Sequence, residues 1–406
     1  MMAGGALPQA LVLLLVVIGA TTAAPAAGVP LAHNEDEDLD TAQLLRKYGY
    51  PVEEHFVTTA DGYILRMFRV PSSPKASGGS GFPILVMHGL LASSADWVIM
   101  GPGKGFAYVL ADAGFDVWMG NSRGNVYSRN HTTINPDDDS FWQFSWHEMG
   151  DYDLPAMIDY VLAETGQSDI FYAGHSQGTT SFYVMASLHP EYNDKIRVMF
   201  SLAPVAYMNH MTSPLLQFIS LFVDQLEFLA GLIGMNEFLP NSELMQLVGD
   251  IMCQDGAFTQ DICSNVIFLL GGYNEAELNT TMLPVIMAHT PAGSSSKQLI
   301  HYGQEIRSGH FRQYDHGMIG NTLEYGSISP PDYDLSKVTA KVVLHYSNND
   351  WCAGVKDVDR LYEELPNCIG RFLVAEDSFS HLDFMWAIHA KELVYDKVVA
   401  LMNQYL

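Results

Sequence analysis

The stretch Asp169-Ile-Phe-Tyr-Ala-Gly-His-Ser-Gln-Gly-Thr-Thr180 constrains this chain more than any other. It begins as a short apolar run, breaks at Gly174, presents Ser176 and breaks again at Gly178. A helix-compatible segment then runs from Thr179 to Leu188. Gly-x-Ser-x-Gly between a strand and a helix is the pattern of a nucleophile elbow. The turn must be sharp enough to strain the serine backbone. Neighbouring chain then passes so close to positions 174 and 178 that a side chain there would clash. The hydroxyl is thereby projected from the top of a sheet, with N–H groups of a helix start aimed at the same point. The five residues alone are a weak signal, because a capping serine at a strand–helix turn would look the same. The rest of the chain has to supply a base, an acid and a second donor for an oxyanion.

In this kind of fold the partners follow the serine in the order acid, then histidine, each in a loop after a strand. The apolar run Lys341–Tyr346 predicts a strand, and Ser347-Asn-Asn-Asp350 follows it. Arg371–Ala375 predicts the last strand, and Ser378-Phe-Ser-His381 follows that. Asp350 and His381 are therefore the candidate acid and base for Ser176. The structural alternatives are a turn carboxylate for Asp350, since Asn-Asn-Asp is good turn chemistry, and an ordinary structural histidine for His381. Asp332, Asp334 and His389 are rivals without the strand-end position, and His389 falls inside a helical pattern. The second oxyanion donor is expected in the loop after the strand Phe82–His88, so the backbone N–H groups of Leu90 and Gln177 are the candidate hole. His88 is expected to shape that loop and not to transfer protons, and the His175 side chain to face away from the attack site.

Strand and helix signals alternate around these residues. Thr41–Tyr48 predicts a short helix with Leu44 and Leu45 on one face. Glu54–Ala60 and Tyr63–Val70 read as a hairpin joined at Asp61-Gly62. Gly105–Ala113 reads as a helix, Asp116–Met119 as a strand and Ile196–Leu202 as a buried strand, and Phe144–Thr165 holds a long helix with Leu154, Met157, Ile158 and Val161 on one stripe. Val355–Leu365 and Phe384–Asn403 read as helices. Such alternation predicts an α/β chain with a mostly parallel sheet and helices on both faces. Between Pro204 and about Pro330 the pattern changes to a Leu-, Met- and Phe-rich segment without a clear buried strand. Helical pieces are expected there at Pro214–Gly234, Glu243–Met252, Ile262–Leu270 and Met282–Ala288. The expected organisation is a core over 41–203 and 331–406 with a helical cap inserted at 204–330.

The first charged residue is Glu35, preceded by a short apolar run and then small residues. Residues 1–24 therefore read as a secretory signal peptide, and 25–40 as a solvated acidic lead-in or pro-segment. The best remaining candidate for a membrane span, Leu215–Gly234, is interrupted by Asp224, Gln225 and Glu227, so no transmembrane anchor is expected. A net charge of −26 argues against nucleic acid and against anionic membrane surfaces, so any lipid contact should be apolar. Secretion permits disulfides. Cys253–Cys263 would close a short loop, worth about 2–3 kcal/mol if unstrained. Cys352 and Cys368 flank a predicted helix and are expected as a second bridge on spacing alone; the alternative for each pair is buried thiols. None of the four has metal-ligand spacing. Asn130-His-Thr and Asn279-Thr-Thr are glycan acceptor sequences, making Asn130 and Asn279 candidate sites.

With these residues placed, the chain resembles the acid lipase family, which includes gastric, lysosomal and many insect lipases. The resemblance runs from about Tyr48 to the C-terminus. It is carried by Tyr48-Gly-Tyr-Pro51, Asp61-Gly-Tyr-Ile-Leu-Arg66, His88-Gly-Leu-Leu-Ala-Ser-Ser94, Gly120-Asn-Ser-Arg-Gly-Asn125 and Asp151-Tyr-Asp-Leu-Pro-Ala156. Gly174-His-Ser-Gln-Gly178, Asn349-Asp-Trp351 and His381-Leu-Asp-Phe384 complete it. The resemblance implies an α/β-hydrolase core under a lidded helical cap, neutral lipid esters taken from a lipid–water interface, a secreted or lysosomal protein, no cofactor, and a monomer. It also implies the roles of Ser176, Asp350, His381, Leu90 and Gln177, and pairs Cys253 with Cys263. Cys352 and Cys368 lie outside the pattern. Two other readings compete with the lipase: a carboxylesterase for small soluble esters, and a non-catalytic lipid-binding protein of yolk type on the same scaffold. The latter would be expected to have lost members of the triad.

Overall fold

The computed structural model describes residues 34–75, 81–225, 237–238, 271–272 and 274–406. Eight strands form one sheet: β1 (Glu53–Thr58), β2 (Ile64–Val70), β3 (Pro83–Met87), β4 (Asp116–Met119), β5 (Ile170–His175), β6 (Ile196–Leu202), β9 (Val342–Tyr346) and β10 (Cys368–Leu373). Two further strands, β7 (Glu237–Phe238) and β8 (Ser294–Ser295), pair antiparallel within the insertion. The large sheet runs β1-β2-β4-β3-β5-β6-β9-β10. β1, β2 and β4 pair antiparallel, and every pair from β4 to β10 is parallel. Central β3, β5 and β9 are buried along their whole length, as their unbroken apolar runs require of strands covered on both faces. Each strand expected from the sequence is present. The last begins three residues earlier than expected, because as an edge strand β10 alternates partly buried and exposed positions and so lacks the continuous apolar signature.

Ten helices are labelled here: α1 (Thr41–Lys47), α2 (Phe106–Asp112), α3 (Leu154–Thr165), α4 (Gln177–Leu188), α5 (Pro214–Leu221), α6 (Leu283–His289), α7 (Ser296–Ser308), α8 (Gly317–Tyr325), α9 (Val355–Glu364) and α10 (Asp396–Gln404). α7 and α8 were not anticipated. The exposed side of α7 is polar, and its core-facing residues include His301, Gln298 and Glu305, which carry no apolar periodicity. The long helix expected within Phe144–Thr165 is α3, with Leu154, Met157, Ile158 and Val161 buried on one stripe; a helical turn at Trp146–Glu148 and a wide π-type turn at Met149–Asp153 precede it. Pro155 in the first turn of α3 has no N–H to continue the ladder. Gly150 is pressed so tightly on α4 that a Cβ there would lie 2.6 Å from Val184 Cβ. The predicted last helix is divided, because Leu278 bridges Ala387 and the Ile388 N–H donates to the Glu277 carbonyl.

Two expectations are corrected. The acidic lead-in is not a solvated tail over 34–40: Glu35–Asp38 forms a capped 3₁₀ turn with Asp36 and Glu37 buried. Asp36 accepts from Lys47 Nζ at 2.8 Å and from the Tyr48 hydroxyl at 2.5 Å, and these donors replace the water a buried carboxylate loses. Cys352 and Cys368 form no disulfide. Cys368 sits beside Val342 at the start of β9, whereas Cys352 lies beyond the other end of that strand, so the length of a strand separates them. Cys253, Cys263 and the proposed leader 1–24 fall outside the described residues. Asn130 is exposed and Asn279 partly so.

Candidate active site

The site forms at the C-terminal ends of β3, β5 and β9 and of the loop after β10. Ser176 stands between β5 and α4 with φ 52° and ψ −117°, a conformation that a non-glycine residue holds only when its surroundings impose it. Those surroundings are visible in two glycines. A Cβ on Gly174 would lie 2.6 Å from the Gly178 carbonyl carbon, and one on Gly178 would lie 2.4 Å from the Met87 oxygen on β3. Both glycines are thus required by close backbone approach, as the motif implied.

Three side chains meet there. The Ser176 hydroxyl lies 2.8 Å from His381 Nε2. His381 Nδ1 lies 2.9 and 2.8 Å from the two carboxylate oxygens of Asp350. Asp350 Oδ1 also accepts the N–H groups of Cys352 at 2.8 Å and Ala353 at 2.7 Å, which orient the carboxylate and supply partners for its charge. With Nδ1–H donating to Asp350, Nε2 is left to accept the serine proton. Asp350 and His381 are both buried, while Ser176 is partly exposed, so the relay is sheltered and its nucleophilic end is reachable. The rivals have other partners: Asp332 pairs with His310, Asp334 caps a short turn, and His389 binds Glu277.

Of the two segments expected to carry oxyanion donors, one lies against Ser176 and the other begins the helix that follows it. A Cβ on Gly89 would lie 3.2 Å from Ser176 Cβ, which places the 89–90 backbone against the nucleophile. Gln177 is the first residue of α4, where N–H groups have no acceptor within the helix. His88 holds the loop: its Nδ1 donates to the Gly89 carbonyl at 2.8 Å, and its Nε2 accepts the Ser122 N–H at 3.1 Å. Burial pushes its pKa down to about 4, so it stays neutral and serves as a spacer.

The comparisons with known proteins fit this geometry. Residues 41–101 match the model of a partial alpha/beta-hydrolase lipase region, and residues 83–245 match the alpha/beta hydrolase fold. A soluble variant of monoglyceride lipase from Saccharomyces cerevisiae superposes with a TM-score of 0.53 at 12% identity, covering 88% of this chain and 98% of that one. Lipase 3 of Drosophila melanogaster is 46% identical, covering 90% of this chain and 93% of the relative. Human lysosomal acid lipase/cholesteryl ester hydrolase is 37% identical over 92% of this chain and 93% of the relative. Rat gastric triacylglycerol lipase is also 37% identical, over 91% and 93%. The chain belongs to the acid lipase family.

In this acid lipase further contacts hold the loops that carry Ser176 and His381. The Gly271 carbonyl accepts the His381 N–H at 2.9 Å. Asn274 donates to Asp383 Oδ2 at 2.7 Å, and the same oxygen accepts the Ser380 N–H at 2.6 Å. Burial raises the Asp383 carboxyl to about 6, and these donors oppose the rise. His175 lies beneath the triad, its Nε2 donating to the His381 carbonyl at 2.9 Å; burial pushes its pKa down to about 3. Asp383 and His175 belonged to recognisable motifs, but no local signal marks Gly271 or Asn274, which act across more than 100 residues.

Among the described residues, Asp350, Cys352 and His381 are the grouping whose ligand atoms could hold a metal ion, lying within 4.8 Å of one another. Two of the three are already bonded to each other. Burial, followed by the Asp350 charge, pushes the Cys352 thiol well above 9, so it is a protonated thiol and a poor ligand. Among the described residues no helix is long and apolar enough to cross a membrane.

Proposed function

We propose that Ser176 is the acyl-accepting nucleophile of a lipase that hydrolyses neutral lipid esters, with His381 as base and Asp350 as its orienting acid. The observation that carries this reading is the bonded series Ser176–His381–Asp350, closed at both joints within hydrogen-bond distance. His381 takes the serine proton as the oxygen attacks the ester carbonyl. The Leu90 and Gln177 N–H groups stabilise the oxyanion. The alcohol leaves with the proton from His381, and water activated by the same histidine releases the fatty acid.

Names of the relatives favour triacylglycerols and cholesteryl esters as the substrate class. The apolar leader 1–24, together with lysosomal and gastric relatives, supports secretion or delivery to lysosomes, with glycans at Asn130 and Asn279 and a bridge between Cys253 and Cys263. The test is hydrolysis of triolein, cholesteryl oleate and short soluble esters across acid, neutral and alkaline pH, with Ser176→Ala as control. A lipase accelerates once long-chain substrate exceeds its solubility. Turnover of soluble esters alone would make it a carboxylesterase, and activity surviving in Ser176→Ala would remove the assignment.

A further inference from the structure

The insertion reaches into the catalytic machinery through one buried pair of amides. Gln177, whose main-chain N–H is the proposed oxyanion donor, donates from its side-chain Nε2 to Gln298 Oε1 at 2.8 Å. The same nitrogen contacts Met149 Sδ at 3.4 Å. Gln177 and Gln298 are 3% and 2% exposed, so water does not compete for this bond. Gln298 lies in the first turn of α7, the helix that also sets the Tyr302 hydroxyl 3.2 Å from Thr180 Oγ1 on α4. Two contacts one turn apart thus seat α7 on the start of α4.

We infer that Gln298 is a positioning residue for the oxyanion hole, so that α7 of the insertion completes the machinery as well as covering it. The inference rests on the reading of Gln177 as an oxyanion donor. Ser176 already holds a strained conformation, and the chain leaving it must be restrained at the next residue. Among the described residues the buried Gln177 Oε1 has no partner, so the Nε2 contacts to Gln298 and Met149 are what hold the amide. Without Gln298 Oε1, a buried donor loses its strong acceptor, the Gln177 side chain turns to find another, and its N–H moves off the oxyanion position. Such a shift of a few tenths of an ångström is felt in the transition state and hardly at all in ground-state binding.

The experiment uses the full chain with Gln298→Leu, Gln177→Leu and the double variant. The readouts are kcat and KM on p-nitrophenyl butyrate, and the inhibition constant of a trifluoromethyl ketone, whose serine adduct carries an oxyanion. Gln298→Leu is expected to lower kcat on the order of tenfold, a fraction of the 10²–10³ that loss of a whole donor costs. KM should stay within about twofold, and ketone affinity should fall in step with kcat. The double variant should be no slower than Gln177→Leu alone, since the effect passes through that side chain. Retained kcat and ketone affinity in Gln298→Leu would overturn the proposal, as would losses that multiply in the double variant. Should the leucine variant fail to fold, Gln298→Glu keeps an acceptor oxygen and Gln298→Met does not; equal kcat in those two would count against the role. Activity that survives Ser176→Ala overturns the underlying reading instead.

Discussion

The Asn274 amide donates to Asp383 at 2.7 Å, joining residues 109 apart in the chain, the second of them two places after His381. Both side chains are buried, so this bond is part of what fixes the His381 loop. Asn274→Ala should destabilise the protein by about 1.5–3 kcal/mol, the range for a hydrogen bond to a charged group. The loss should depend on pH. Asp383 titrates at about 6 when folded against 3.8 for the free side chain, so stability falls as pH rises between those values. Removing a donor to the carboxylate raises the folded value further. Urea unfolding should therefore show a larger effect of Asn274→Ala at pH 7 than at pH 4, and equal effects would contradict the assignment.

Glu305 on α7 carries the stronger pH signature. It is buried, neither carboxylate oxygen has a partner among the described residues, and burial raises its pKa well above 4.5. A group whose folded pKa is raised is harmless below its unfolded value and costs stability as pH climbs toward the folded value, by about 1.4 kcal/mol per pH unit at most. Glu305→Gln should match the parent at pH 4 and exceed its melting temperature at pH 7. An unchanged difference across that range would show the carboxyl to be solvated.

Asp350→Asn should leave the fold intact and lower kcat on short esters by about 10³–10⁴, because the amide cannot hold His381 in its proton-accepting tautomer. Stopped-flow hydrolysis with circular dichroism as control checks this. Ser176→Ala should abolish both turnover and labelling by a fluorophosphonate.

The glycines around the elbow should divide by what they touch. Gly178→Ala pushes against β3 backbone at 2.4 Å, so loss of about 1–3 kcal/mol of stability is expected. Gly89→Ala meets Ser176 Cβ at 3.2 Å, a contact that a small loop shift relieves. Its effect should fall on kcat with the melting temperature nearly unchanged.

Cys352 and Cys368 should both be alkylated by iodoacetamide in denaturant without reductant, as mass spectrometry would show. A disulfide-linked peptide joining them would contradict the strand register that separates them.

Ser176, Asp350 and His381 were legible because each is tied to a local pattern: glycines forced by a sharp turn, and acid and base at strand ends. The eight sheet strands were legible for the same reason, since continuous apolar runs and the hairpin at Asp61-Gly62 report burial and turning residue by residue. The lead-in at 34–40 misled because its letters are charged, although Lys47 and Tyr48 bury Asp36.

By itself the sequence determined an α/β-hydrolase chain and the strand-end positions from which Ser176, Asp350 and His381 meet, all consequences of short-range sterics and periodic burial. Only the tertiary structure decided that Cys352 and Cys368 stay apart, that the buried Glu305 carboxylate has no partner among the described residues, and that Gly271 and Asn274 bond to the His381–Asp383 loop. Those facts depend on which distant backbones pack together, and hydrogen bonds across more than 100 residues leave no periodic mark in the chain that makes them.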